Sequence, residues 1–379
     1  MPPRDASARG PLRVLHLAAG NLYGGIESML VTLARLRGRC PDMEPAYALC
    51  FPGRLQEALE ETGVAVHLLG EVRVRNPWSV WRARRALAAL LARARFDAVV
   101  SHGAWVHALL GPVAVRRGVP CAFFQHGLTD GRHWLERWAA RVPASVVLAN
   151  SRATADSLAS LFPQVPCAVV HCPLETGAPP LSASEREAVR AELDVPPGTP
   201  VILHVGRMEA GKGQLLLVEA LQHLPAPASF VCWLVGGPQR PEETGYWQAL
   251  RRQVAASGLG ERVRLLGQRG DVARLMRAAD IYCQPNVSPE GFGLTFVEAL
   301  DARLPVVTTP LGGALEIVDE RTGVLVAPEV DSVAGVLARL LEDAGLRESL
   351  GREGPARARS LCDPAARMAE LKSHLEVPR

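Results

Sequence analysis

One recurring unit constrains this chain more than any other feature: a compact apolar run, then a loop, then a segment with helical periodicity. In the first half RVLHLA (13–18), AYALC (46–50), VAVHLL (64–69), DAVVSH (97–102), CAFFQH (121–126) and ASVVLAN (144–150) follow this order. In the second half VILHVGR (201–207), FVCWLVGG (230–237), RVRLLG (262–267), DIYCQP (280–285), PVVTTP (305–310) and GVLVAP (323–328) repeat it. Runs nearly continuous in Val, Leu and Phe are what strands buried on both faces require. Alternation of such strands with helices predicts parallel sheets covered on both sides. The expected fold class is therefore α/β, with two doubly wound Rossmann-like domains facing each other across a cleft. A chain of 379 residues is also too long for one comfortable core.

CAVVHCPLE (167–175) closes the first series, and TGAPPLSAS (176–184), polar and proline-containing, reads as a linker. The expected domains are 1–180 and 181–379, the last helix being a candidate to pack back on the first. Ser151, after the strand that ends at Asn150, is the expected N-cap of the helix RATADSLASLF.

Composition narrows the class. An apolar fraction of 48% fits a folded protein, leaving the leader MPPRDASARG and the last few residues as the candidates for disorder. No run is long enough to cross a bilayer and the N-terminus lacks the apolar core of a signal peptide, so a cytoplasmic location is expected. The eight cysteines show no metal-ligand spacing and read as reduced core residues, with a zinc site built from distant residues left open. Residues 1–180 hold 20 basic and 13 acidic groups, and residues 181–379 hold 22 and 26. The first half thus has the better claim to an anionic partner. Nucleic acid is not the expected one, because the excess is modest and no recognition motif accompanies it.

In sheets of this kind ligands bind beyond the carboxyl ends of the strands, so the loops after the strands are where chemistry is expected. HVGRMEAGKGQ (204–214) joins a strand to the helix LLLVEALQHL and contains Lys212, one of two lysines among 42 basic residues. Arg207 offers a planar fork to phosphoryl oxygens, Lys212 a compact charge, and glycines 206, 211 and 213 close backbone approach. The other reading is a solvated basic loop whose glycines serve the turn. The spacing is not that of a Walker loop.

SPEGFGLTFVEAL (288–300) sets Glu290 in a loop and Glu298 in the second turn of a helix that starts near Gly293, with Leu294, Phe296, Val297 and Leu300 facing inward. Gly291 and Gly293 leave amides uncovered at that helix start, and two nearby carboxylates suit hydroxyl groups of sugar or ribose. Glu290 as a solvated side chain and Glu298 as a cap or surface partner is the alternative.

Taken in order, GR (206–207), Lys212-Gly213, EGFGLTFVE (290–298) and GGALEIV (312–318) resemble the retaining glycosyltransferases of family 4, which have the two-domain GT-B fold, and the resemblance extends over nearly the whole chain. It implies transfer of a sugar from a nucleoside diphosphate sugar to an acceptor hydroxyl with retained anomeric configuration. Arg207 and Lys212 would hold the diphosphate and stabilise the leaving group. Glu298 would bind the ribose hydroxyls and Glu290 those of the transferred sugar, with the amides of Phe292, Gly293 and Leu294 near sugar or phosphate. In the first domain Gly24 and Gly25 of NLYGGIE match the family's glycine-rich loop, and His126 of QHG matches a histidine that meets the donor sugar. Asn150 and Ser151 match a position at the cleft face, and Gly312 and Gly313 a loop that borders the donor.

The resemblance also implies a front-face route in which the leaving diphosphate helps to remove the acceptor proton, so Glu290 is not assigned as a nucleophile. No cofactor and no metal are expected, since the two cations can do the electrostatic work of a divalent ion. The acceptor is an unknown hydroxyl compound, with lipid-linked and polysaccharide acceptors as candidates. WSVWRARRALAALLARAR (78–95) reads either as a peripheral contact with the inner face of a membrane or as an arginine-rich helix covering a sheet. Two other functions share these residues: a phosphorylase or epimerase on the same fold, and a noncatalytic nucleotide-sugar-binding protein.

Overall fold

The computed structural model describes residues 10–226 and 228–376; residues 1–9 of the leader and 377–379, named above as candidates for disorder, lie outside the described residues. The chain divides into two compact units. The first runs to Leu174 and is taken up again from Pro364, and the second is Glu175–Asp363.

The first unit is built on seven strands: β1 Leu12–Ala18, β2 Met43–Leu49, β3 Ala65–Leu68, β4 Ala98–His102, β5 Cys121–Gln125, β6 Val146–Ala149 and β7 Cys167–Val169. They pair in parallel in the order β3-β2-β1-β4-β5-β6-β7. The second unit holds β8 Val201–Val205, β9 Val231–Val235, β10 Val263–Gly267, β11 Ile281–Gln284, β12 Val306–Thr308 and β13 Gly323–Leu325, parallel in the order β10-β9-β8-β11-β12-β13. Each sheet therefore reverses its strand order once, between β1 and β4 and between β8 and β11. These reversals are where the loops after neighbouring strands diverge and leave a crevice.

The apolar runs sit where double-faced burial demands them. Every residue of β4, β8, β9 and β11 is buried, whereas the edge strands β3 and β7 are not. Helices close both faces. Gly25–Arg35 buries Met29, Leu30, Val31, Leu33 and Ala34 as one stripe, and Val330–Glu342 buries Val333, Ala334, Leu337 and Leu340 at the spacing of a helix face. Two helix starts are set by side chains that satisfy the first amides: Ser151 accepts from Thr154 N at 3.0 Å, and Asn76 accepts from Trp78 N at 3.1 Å ahead of Pro77.

One cluster of contacts positions the second sheet. Asp280 takes Arg186 at 2.6 Å and also Arg190, while its Oδ2 accepts the amide of Val201 at 2.7 Å. The helix Ala183–Glu192 is thereby pinned to the entry of β8 and β11, the end opposite the loops of interest. At the end of the chain the helix Pro364–Leu375 buries Met368, Leu371 and Leu375 in the first unit, beside the short turn Arg37–Arg39. All eight cysteines are free and all but Cys167 are buried. No helix among the described residues is long and apolar enough to cross a membrane.

Candidate functional site

In the second unit the loops after β8 and β11 meet at the strand-order reversal. Backbone contacts zip them together: the amide of Val287 donates to the carbonyl of Gly211 at 3.0 Å. Gly213 has φ +73°, and a Cβ there would lie 1.9 Å from the carbonyl oxygen of Pro285, so only glycine lets the two loops cross. The glycine read as a point of approach for an anion is occupied by this loop crossing.

The crossing brings Lys212 onto Glu290. Lys212 Nζ donates to Glu290 Oε2 in an ion pair whose side chains are 18% and 17% exposed. Glu290 is fixed from below and from the side. Gln284 Nε2 reaches Glu290 Oε2 at 3.5 Å and Asn286 Oδ1 at 2.9 Å, while Tyr282 Oη and Thr295 Oγ1 reach Gln284 Oε1 at 2.8 and 3.3 Å. The carbonyl of Glu290 accepts the amide of Gly313 at 2.9 Å, and Glu290 forms an isolated parallel bridge with Gly312. Gly312 and Gly313 therefore hold the backbone of Glu290. Lys212 has its own support: its carbonyl accepts from His204 Nε2 at 3.0 Å, which makes His204 the Nε2–H tautomer, and burial lowers the His204 pKa to about 4.

Arg207 leaves β8 in another direction. Its guanidinium meets Glu209 at 2.9 Å and Glu243 at 3.8 Å and stays 35% exposed, and its carbonyl accepts Gln214 Nε2 at 2.7 Å. Tyr246 Oη then donates to Gln214 Oε1 at 2.9 Å, so the helix Glu243–Ala256 braces the turn. The side chain of Arg207 is thus held by two carboxylates and keeps an open face.

The helix Leu294–Asp301 begins at Gly293, which has φ +105°. Phe296, Val297 and Leu300 are buried, as is Phe292, while Leu294 is only partly covered. Glu298 is different from the other acids. Its carboxylate has no hydrogen bond or ion pair among the described residues, and burial raises its pKa to about 7. Burial, with smaller effects of Glu298 and Glu290, also pushes the phenol of Tyr282 upward.

In the first unit the amide of Gly24 donates to Glu27 Oε2 at 2.9 Å and the helix starts at Gly25, at the end of the loop after β1. His126 follows β5. Its carbonyl accepts Asn150 Nδ2 at 2.9 Å, Phe124 stacks on its ring at 4.2 Å, and its ring contacts His102 Nδ1 at 2.8 Å. Ser151 is a helix cap. Sequence reading missed Gln284, Asn286, Gln214, Tyr246, Glu243, His102 and His16. Gln284 and the two histidines could have been found, since each is a polar residue inside or at the end of an otherwise apolar strand.

The family model described as "Glycosyltransferase Family 4" matches residues 23–177, and that described as "Glycosyl transferases group 1" matches residues 185–357. A D-inositol 3-phosphate glycosyltransferase of Xylanimonas cellulosilytica is 36% identical over 192 residues, which is 49% of this chain and 45% of that protein. An alpha-D-kanosaminyltransferase of Streptomyces kanamyceticus is 27% identical over 240 residues, 61% of this chain and 60% of that protein. The chain spans about half the length of the first of these curated relatives. Among solved structures, Anabaena Alr3699/HepE in complex with UDP-glucose superposes with a TM-score of 0.85 at 23% identity, covering 96% of this chain and 99% of that one. Sucrose-phosphate synthase of Thermosynechococcus elongatus gives 0.77 at 20% identity, with coverages of 96% and 99%. With both halves matched by their models and both sheets in the Rossmann order, the chain belongs to glycosyltransferase family 4 and has the GT-B fold.

Proposed function

We propose that this protein is a retaining glycosyltransferase that moves a sugar from a nucleoside diphosphate sugar to an acceptor hydroxyl. The observation that carries the reading is the pairing of Lys212 with Glu290 at the reversal of the second sheet, with Arg207 partly exposed on the same loop after β8 and Glu298 unpartnered on the next helix. A diphosphate competes well for a lysine held by one carboxylate and for an arginine with an exposed edge. On that exchange Glu290 is released toward a sugar hydroxyl, and Glu298 accepts from ribose hydroxyls. Arg207 and Lys212 then stabilise the charge that grows on the leaving diphosphate, and the amides of Phe292, Gly293 and Leu294 add donors. The leaving phosphate oxygen takes the acceptor proton on the same face, so configuration is retained without a protein nucleophile. Gly24, Gly25 and His126 would meet the donor from the first unit. Neither a cofactor nor a metal enters this scheme.

The helix Pro77–Arg93 supports a partner of its own. From residue 72 to 96 the chain has seven arginines and no acid, and Trp78 and Trp81 are 73% and 51% exposed. Trp78 and Trp81 meet edge to face and Arg85 lies over Trp81 at 5.4 Å. Of the arginines, Arg84 is turned inward to the carbonyl of Leu109 at 2.7 Å. Aromatic rings among cations are suited to an anionic lipid surface, so we place the protein at the inner face of a membrane, next to a lipid-linked acceptor.

A thermal-shift series with nucleoside diphosphates and their sugars tests the donor reading. A rise in Tm with one nucleotide type, lost in Lys212→Ala, is the expected outcome. No change with any of them at saturation refutes it. Release of sugar 1-phosphate in the presence of inorganic phosphate would instead identify a phosphorylase, and interconversion of nucleotide sugars without acceptor an epimerase. Binding without turnover across a broad acceptor panel would identify a noncatalytic protein.

A further inference from the structure

Three histidines of the first unit, in or just after neighbouring strands, stand in a row. His16 lies in β1, His102 ends β4 and His126 follows β5, and these strands are neighbours in the sheet. His16 Nδ1 contacts His102 Nε2 at 3.0 Å, and His102 Nδ1 contacts His126 Nε2 at 2.8 Å. Consecutive rings are stacked, with interplanar angles of 27° and 21°. The row is linear, each ring bonding the next, and the three rings do not converge on one point as metal ligands do; no group of three potential ligands is so arranged among the described residues.

Each contact uses one proton between two nitrogens, and each neutral imidazole carries one. Only two proton arrangements satisfy both contacts. In one, His16 Nε2 is protonated and His126 Nδ1 is bare; in the other, His16 Nε2 is bare and His126 Nδ1 is protonated. Both end nitrogens are buried and have no partner among the described residues. His16 is completely buried and stacked against Tyr47 at 5.3 Å. Each arrangement leaves one end N–H without a partner, at His16 Nε2 or at His126 Nδ1; His16 is completely buried whereas His126 is partly exposed at the end of its strand, so the arrangement with His16 Nε2 bare, which puts the free N–H where a ligand reaches it, is favoured.

We propose that His16 and His102 are positioning residues that hold His126 as the Nδ1–H tautomer, so that it presents a hydrogen-bond donor to an oxygen of the transferred sugar. The sugar contact rests on the function proposed above; the tautomer assignment does not. Burial keeps all three rings neutral, with His16 and His126 lowered to about 3 and His102 also well below its ordinary value. His126 is thereby a donor and not a base at neutral pH. Phe124 on the ring and Asn150 on the carbonyl fix its orientation.

Long-range 1H–15N correlation spectra of the full chain labelled at histidine read the tautomers directly. The expected result at pH 7 is protonation of Nδ1 in all three. His16→Asn keeps a donor where Nδ1–H stood and should leave His126 as in the wild type. His16→Leu removes that donor and should give mixed tautomers at His126, with kcat for transfer about tenfold lower at unchanged KM, as expected for one weakened hydrogen bond, and recovery in His16→Asn. A wild-type His126 protonated at Nε2, or identical His126 spectra in the Leu and Asn variants, overturns the proposal. The expected tautomers with no sugar bound or transferred leave the row assignment standing and refute the sugar contact.

Discussion

Lys212 and Glu290 come from loops 78 residues apart and close an ion pair in which neither side chain is more than one fifth exposed. Two groups assigned to different parts of a donor thus neutralise each other in the free protein. Lys212→Ala leaves Glu290 without its cation and should lower stability by about 1–3 kcal/mol, between the surface and fully buried cases. Its effect on kcat should be larger, about 10²–10³-fold, because the charge on the leaving group loses its partner. A double-mutant cycle with Glu290→Ala on chemical denaturation is expected to show a coupling of about 1 kcal/mol or more. Additive effects on stability would mean that the pair does not persist in solution.

Glu298 gives a pH signature. Its carboxyl is raised to about 7 by burial, so the folded protein holds a proton that the unfolded chain releases near 4.5. Between those values the native state binds more protons than the unfolded one, and stability must fall as pH rises. The contribution is fully present below 4.5 and lost above 7. Glu298→Gln removes this term, so the variant should match the wild type near pH 4.5 and exceed it by about 3 kcal/mol at pH 8, measured by denaturant melts. Nucleotide affinity should fall in the same variant, since the charged acceptor for hydroxyls is gone. A constant difference in stability across this range would refute the assignment.

Glycine replacements separate loop geometry from loop flexibility. At Gly312, with φ +66°, a Cβ would lie 2.1 Å from the carbonyl oxygen of Glu290. Gly312→Ala should cost about 2–4 kcal/mol and displace Glu290, so donor binding is lost along with stability. Gly335 lies within the helix Val330–Glu342 with open space where a Cβ would go. Gly335→Ala should be more stable than the wild type by about 1 kcal/mol with unchanged binding. Thermal melts of the two variants side by side check both signs.

Vesicle sedimentation addresses the helix Pro77–Arg93. The full chain should sediment with vesicles that contain anionic phospholipid and stay in solution with purely zwitterionic ones, at moderate salt. Trp78→Ala with Trp81→Ala should abolish the salt-resistant part, and Arg82→Glu with Arg85→Glu the dependence on anionic lipid. Absence of wild-type sedimentation at low salt removes the membrane from the account.

Much of this architecture was legible in the sequence because double-faced burial writes itself as continuous apolar runs. Every run read as a strand overlaps one, from Leu12–Ala18 to Gly323–Leu325, although β2 begins at Met43, three residues before the run read for it. The element assignments around Glu290 and Glu298 follow for the same reason, since Gly293 ends one pattern and Phe296 begins the next. What the sequence did not show are relations between loops. The pairing of Lys212 with Glu290 depends on Gly213 passing against Pro285, a contact with no local signature. Gln284 stands out only as a polar residue in an apolar strand and Tyr282 not at all, yet Tyr282 holds Gln284 and Gln284 reaches Glu290. The histidine row is an intermediate case. VLHLA, VVSHG and FFQHG each place one histidine at or near the end of an apolar run, but only the strand order brings β1, β4 and β5 side by side.

The return of the helix Pro364–Leu375 to the first unit makes that unit discontinuous in the amino-acid sequence, while the second is one uninterrupted stretch. Along the chain the second unit lies between the two parts of the first. Dissection is therefore asymmetric: Glu175–Asp363 is a single continuous piece, whereas a fragment stopped at Leu174 is deprived of Met368, Leu371 and Leu375 and presents the apolar surface they cover. A frameshift or stop codon just beyond Asp363 would injure the unit that was translated first.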